Sequence, residues 1–155
     1  MPAGYGLTPV SGQQDLVAWE HVQERLQTGR NYWIGSARPD GRPHAMPVWG
    51  VWLDGAFYFS TDPMSRKGRN LAANPQVVVH LESGDDVVIL EGRAAEVTDR
   101  IILEEADQAY FNKYAFHLTG ELAAPGLVYQ LQPRVVFAWP ESSFPTRATR
   151  WTFEL

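Results

Sequence analysis

The chain has 155 residues, 45% apolar, 12% aromatic and 20% charged, which excludes a disordered chain and suits one domain with a real core. Eighteen acidic against 13 basic residues leave a net charge of −5, which argues against a general nucleic-acid binder but leaves room for a local anion site. With no cysteine, disulfides, thiolate metal sites and thiol nucleophiles are excluded.

Residues 1–14 read as a flexible lead and 15–155 as a single domain. The lead has neither a basic n-region nor an apolar h-region, and no apolar run approaches membrane-spanning length, so the expectation is a cytoplasmic protein with no membrane partner. In "DLVAWEHVQERLQTG" (15–29), Leu16, Trp19, Val22 and Leu26 fall at helical spacing, with Gly29 as a stop. "NYWIGSA" (31–37) is a strand, "RPDGRP" (38–43) a tight turn, and "HAMPVWGVWL" (44–53) the next strand. Pro47 and Gly50 within it predict a bulge or an edge. A second Asp-Gly turns into the strand "AFYFST" (56–61). "SRKGRNLAAN" (65–74) is about two turns of helix ended by Pro75, and "QVVVHLES" (76–83) is a strand. "VVILEGRAAEVT" (87–98) follows a Gly-Asp-Asp turn. Asp99 then suits the N-cap of a helix reaching to about His117, with Ile102, Ala106, Ala109, Tyr110 and Lys113 on one face. "LVYQLQ" (127–132), "VVFAW" (135–139) and "TRATRWTF" (146–153) complete the strands. Short strands, tight turns and helical inserts predict a mainly β chain built as a small antiparallel barrel.

The densest chemistry lies at Ser60, Thr61, Ser65, Arg66 and Lys67, where a strand, a loop and a helix start meet. Phosphate is held by hydroxyls, by free N–H groups at a helix start, and by an arginine fork beside a lysine point charge. The plainer alternative is that Ser65 caps the helix while Arg66 and Lys67 sit in solvent. Met46, Pro47, Val48 and Trp49 offer either a wall of the core or a backbone surface for a flat aromatic ring. The histidines His21, His44, His80 and His117 have no metal-ligand spacing. No serine sits in a nucleophile elbow and no acid–base pair stands out, which suits chemistry carried by a cofactor.

The stretch "GRPHAMPVWGVWLDGAFYFSTDPMSRKGRNLAANPQVVVHL", followed by "VVILEGRAAEVTD", resembles the pyridoxamine 5'-phosphate oxidase-like superfamily, the FMN-binding split β-barrels. That superfamily includes the flavin- and deazaflavin-dependent oxidoreductases. The resemblance implies a six-stranded antiparallel split β-barrel and a homodimer with cofactor at the interface. It places Ser60, Thr61, Arg66 and Lys67, with Ser65 adjacent, on the cofactor phosphate, and Met46, Pro47, Val48 and Trp49 along its ring system. The chain departs from the authentic oxidases where they carry an arginine and a lysine (Met46 and about Val51 here), a glutamine (Val87 here) and a C-terminal arginine–histidine segment (here "ATRWTFEL"). The expectation is therefore hydride transfer between F420 or FMN and a small conjugated organic substrate, rather than oxidation of pyridoxamine phosphate. The other readings are a non-catalytic carrier or sequestering protein, and a haem-binding split barrel with His44 or His80 as the ligand. Trp139 and Trp151 are expected to supply apolar cover at the dimer interface.

Overall fold

The structure, a computed structural model, describes residues 16–118 and 127–154; the expected flexible lead, 1–14, lies outside them. Among the described residues, eight strands form one antiparallel sheet: β1 (Tyr32–Ala37), β2 (Pro43–Val48), β3 (Val51–Leu53), β4 (Ala56–Thr61), β5 (Gln76–Leu81), β6 (Asp86–Glu96), β7 (Leu127–Pro140) and β8 (Thr149–Thr152). Four α-helices among these residues accompany it: α1 (Trp19–Thr28), α2 (Arg66–Ala73), α3 (Arg100–Tyr114) and the single turn α4 (Phe144–Arg147). The neighbour order is β2-β1-β5-β6-β7-β4-β3, with β8 on β7 beyond the end of β4. This is a curled antiparallel split barrel. It has eight strands rather than six, the additional ones being short: β3 has three residues and β8 four.

The expected single strand 44–53 is two strands. β2 stands at one end of the sheet order and β3 at the other, so Trp49 and Gly50 carry the chain across the split. Gly50 explains the break. A Cβ there would lie 2.2 Å from the Phe57 ring and 2.8 Å from the Tyr58 carbonyl oxygen. Its peptide groups are also claimed by α3 rather than by a strand. Gly50 N–H donates to the Tyr114 hydroxyl (3.1 Å), and Gly50 O accepts from Lys113 Nζ (3.1 Å). In the opposite sense, the expected strands 127–132 and 135–139 are one. β7 continues through Pro133, and a bulge opposite Glu91 and Gly92 absorbs the residue the ladder skips.

Two apolar clusters follow from strand alternation. Inside the barrel, Tyr32, Ile34, Phe57, Phe59, Val79, Leu90, Leu131 and Val136 pack together, and α1 closes one end with Val22 and Leu26. On the outer face of β3 and β4, Val51, Ala56 and Tyr58 pack against Ala106, Tyr110 and Tyr114 of α3. Asp99 caps α3 as its sequence predicts, accepting from Ile101 N–H (2.9 Å) and Ile102 N–H (3.1 Å). The C-terminal tryptophans are half-buried, and each also has a partner within the chain: Trp151 packs on Trp19 (5.3 Å between centroids) and Trp139 on Phe144 (5.2 Å).

A polar clasp at the start of α2

β4 ends at Thr61, the chain turns through 62–64, and α2 begins beside the strand it has just left. Ser65 is the N-cap. Its hydroxyl donates to Asp62 O (2.7 Å) and accepts from Gly68 N–H (3.0 Å). Since that donation uses its one proton, Thr61 is the donor in the 3.1 Å contact between the two hydroxyls. Ser65 N–H bonds Asp62 O (3.0 Å) and Gly68 N–H is capped, so Arg66 and Lys67 keep first-turn N–H groups without an intrahelical acceptor. Glycine is required at 68 for contact: a Cβ there would lie 2.2 Å from Asp62 O. The helix start is seated directly on the loop backbone.

Lys67 is the informative residue. The sequence alternative placed it in solvent, yet it is 5% exposed. Its ammonium lies 5.8 Å from the centre of the Phe59 ring, at the end of the barrel interior. Among the described residues no carboxylate or hydrogen-bond acceptor partners it. Burial alone lowers its pKa from 10.5 to about 8. Arg66, the preceding residue, is half-buried at the surface.

Next to Lys67 the barrel end is polar. Asn70, three residues along the same face of α2, is fully buried, and its amide donates to Ser36 Oγ on β1 (3.1 Å). Its carbonyl oxygen is buried without a hydrogen-bond partner among the described residues, as is Nδ1 of His44. Ser36 and His44 are directly paired across β1 and β2, so both point to the face that meets α2. The charges of Arg38, Arg66 and Lys67, after burial itself, lower the His44 pKa.

The structure thus gathers Thr61, Ser65, Arg66 and Lys67 around one helix start. Ser60 is half-buried and, by alternation, faces the other side of β4. The ring-strand residues divide similarly. Met46, 36% exposed, shares the face of Ile34. Val48 is buried opposite Tyr32, and exposed Pro47 lies opposite Trp33 on the outer face. β2 pairs only with β1 in the sheet, so alternate peptide groups along it point outward, as on any edge strand. Trp49 lies past the strand end, stacked face to face on Tyr114 (4.6 Å, 4°), with Arg30 over both rings at 5.3 and 5.7 Å.

Two groups of polar residues were missed by sequence reasoning. Asn70 and Ser36 belong to the clasp; a polar residue one turn after Lys67, beside the apolar position Leu71, was the available signal for Asn70. The other group is Tyr32, Tyr114 and Lys113, which pin the split. Lys113 Nζ donates to Tyr32 OH (2.7 Å), and Tyr32 OH in turn reaches Gly29 O (2.8 Å) at the end of α1. Burial, with Arg30 nearby, lowers the Lys113 pKa to about 8.

Comparison with known proteins fixes the family. A family model described as pyridoxamine 5'-phosphate oxidase matches residues 18–140. The chain belongs to the pyridoxamine 5'-phosphate oxidase family. A pyridoxine/pyridoxamine 5'-phosphate oxidase from Bacteroides thetaiotaomicron is 40% identical over 83 residues, which are 52% of this chain and 37% of that relative. The match therefore spans little more than a third of that oxidase. Two solved structures share the fold of this family member. An F420 reductase is 20% identical over 74% of this chain and 94% of its own, with a TM-score of 0.60. A heme binding protein from Mycobacterium smegmatis is 20% identical over 88% of this chain and 60% of its own, with a TM-score of 0.69. Among the described residues no helix is long and apolar enough to cross a membrane, and no group of three or more metal-ligating side chains occurs.

Proposed function

We propose that the chain is an oxidoreductase that holds the phosphate of a flavin-type cofactor, F420 or FMN, at the start of α2. Lys67 carries this reading. A lysine 5% exposed as a residue, with no counter-charge among the described residues, costs the free protein stability, and a phosphate is the partner it lacks. Arg66 and Lys67 offer first-turn N–H groups, Arg66 offers a guanidinium beside them, and Thr61 can turn its hydroxyl proton from Ser65 Oγ to the phosphate, while Ser65 keeps its own on Asp62 O. The positive end of α2 adds to the attraction. β2 is the candidate platform for the ring system, with Met46 and Pro47 exposed along an edge strand.

The cofactor supplies hydride transfer to or from a small conjugated organic substrate. The chain's part is to bind, orient and exclude water. The fold shared with an F420 reductase supports the deazaflavin, and the family's oxidases support FMN. The second copy in a homodimer would cover the exposed outer face around Ala45 and Pro47 and complete the site.

Titration with FMN, riboflavin and F420 tests the reading. Affinity for FMN at least tenfold above that for riboflavin is expected from the phosphate contacts. Equal affinities would remove the clasp from the account. Hydride transfer from reduced F420 or FMN to members of a panel of enones and quinones would establish an enzyme. Tight binding without any transfer would establish a carrier.

A further inference from the structure

We propose that His44 is an additional phosphate ligand of this site, and that the phosphate group enters it with uptake of a proton onto the imidazole. The inference rests on the proposed phosphate clasp and adds a residue on a different element.

The histidines are not equivalent. His21 is bonded to Asp86 (2.9 Å), His80 to the Leu81 carbonyl (2.7 Å) and His117 to Asp107 (2.9 Å). His44 alone of the four has a buried ring nitrogen with no hydrogen-bond partner among the described residues. Its placement is fixed by the ladder. It lies opposite Ser36 in the β1–β2 register, and Ser36 is bonded to Asn70, one turn past Lys67. His44, Ser36, Asn70 and Lys67 therefore meet from three elements at one end of the barrel, where Thr61 closes β4.

This cluster is built in an unusual sense. Among the described residues, two of its members have a buried polar atom without a partner, and a third, Lys67, is a buried lysine without a counter-charge. Whichever way the Asn70 amide is turned, one of its two polar atoms is left over. The charged groups acting on His44 are Arg38 from the β1–β2 turn and Arg66 and Lys67 from α2. The carboxylate of that turn, Asp40, is held by Arg42 through its side chain (2.8 Å) and backbone N–H (3.1 Å). His44 thus feels three cations, and among the described residues no acceptor bonds its Nδ1. Burial and those charges favour the neutral ring in the free protein, so an entering dianion reverses the balance: imidazolium becomes the favoured form and donates a charge-assisted hydrogen bond.

The balance is one proton at most, taken from solvent onto the ring; no bond to the phosphate is made or broken. A phosphate monoester has its own second pKa near 6, so near pH 6 binding of the dianion also releases protons. Comparison with a variant lacking the imidazole removes that contribution.

The experiment is NMR titration of the four histidine rings of the wild-type chain, free and with FMN, and with riboflavin as the phosphate-free control. Calorimetry at pH 7 in two phosphate-free buffers of different ionisation heat accompanies it, for wild type and His44→Gln. FMN is expected to raise the His44 pKa by about one unit or more, while riboflavin leaves it in place. The wild type should take up more protons per FMN than His44→Gln, and the variant should bind FMN roughly tenfold more weakly with riboflavin affinity unchanged. F420 replaces FMN if only the deazaflavin binds. A His44 pKa unmoved by a bound cofactor overturns this proposal and leaves the clasp standing. Failure of both cofactors to bind overturns the clasp and this inference together.

Discussion

Lys67 is kept at a cost. With a pKa of about 8 in the folded chain against 10.5 when exposed, its burial opposes folding by about 3 kcal/mol at pH 7, on the scale of 1.36 kcal/mol per unit. The sign follows from proton counts. Below pH 8 both states carry the proton and the penalty is complete. Between 8 and 10.5 the unfolded chain holds a proton the folded chain has lost, so stability rises with pH. Lys113, the only other lysine, is also lowered to about 8 and acts in the same direction. The cofactor-free protein should therefore gain stability between pH 8 and 10, measured by urea unfolding. Lys67→Met keeps the stem and removes the charge. It should stabilise the free protein by about 1–3 kcal/mol and remove the Lys67 share of that pH dependence, leaving the Lys113 share, while weakening FMN binding at least tenfold. A destabilised Lys67→Met variant would mean that the ammonium is paired within the protein and that the phosphate reading lacks its main support. Arg66→Ala, at a half-buried surface site, should weaken FMN binding with little change in stability. At this scale the sequence was readable for types and order. Thr61 and Ser65-Arg66-Lys67 could be read as neighbours at one helix start, with Ser60 turned to the other side of β4, but the burial of Lys67 was not legible, because it is set by the end of the barrel beneath α2. His44, Ser36 and Asn70 are far apart in the chain and meet only through the β1–β2 register and the docking of α2.

Helix α2 is short, and its position depends on one contact surface. Gly68→Ala would drive a methyl into Asp62 O and the Pro63 backbone, lifting the helix start off its loop. The expected cost is about 1–3 kcal/mol of stability, with a larger proportional loss of phosphate binding than of riboflavin binding. Calorimetric unfolding and paired titrations separate the two effects. Tyr114→Phe probes the other special contact. It leaves Gly50 N–H without its hydroxyl acceptor and removes a donor shared by Arg30 O (2.7 Å) and Gly50 O (3.0 Å), for about 1–3 kcal/mol. An unchanged melting temperature would show that water replaces the hydroxyl. Most elements were legible from local rules. Strand β4 follows from its consecutive aromatic run, α2 from Ser65 and Pro75, and α3 from the Asp99 cap. The division between β2 and β3 was only half legible: Pro47 and Gly50 announced an irregularity, but the ring of Phe57 that forbids a side chain at 50 arrives from another strand. β7 runs on through Pro133 because β6 pairs with it on both sides of the bulge, a long-range support invisible in a local window.

For the whole molecule, the half-barrel leaves β2 unpaired on one edge among the described residues, with Ala45 and Pro47 exposed outside. A homodimer is the expected remedy, with two equivalent sites. Sedimentation should give twice the chain mass at micromolar concentration, and a monomer that still holds cofactor would exclude the shared site.

The crossing at Trp49 and Gly50 has a further consequence. The first and last strands of the sheet order are consecutive in the chain, so the two lips of the split are tied by covalent bonds and by α3, not by a ladder. Such a lip can breathe without breaking the pairing of β5, β6 and β7. Amides of 43–48 and 51–53 should therefore exchange with deuterium sooner than those of 86–96, and a molecule laid along β2 should slow the first set while leaving the last unchanged. A split that exchanges in this way would act as a mouth on an unyielding back, and the energy of closing it would enter any affinity measured there.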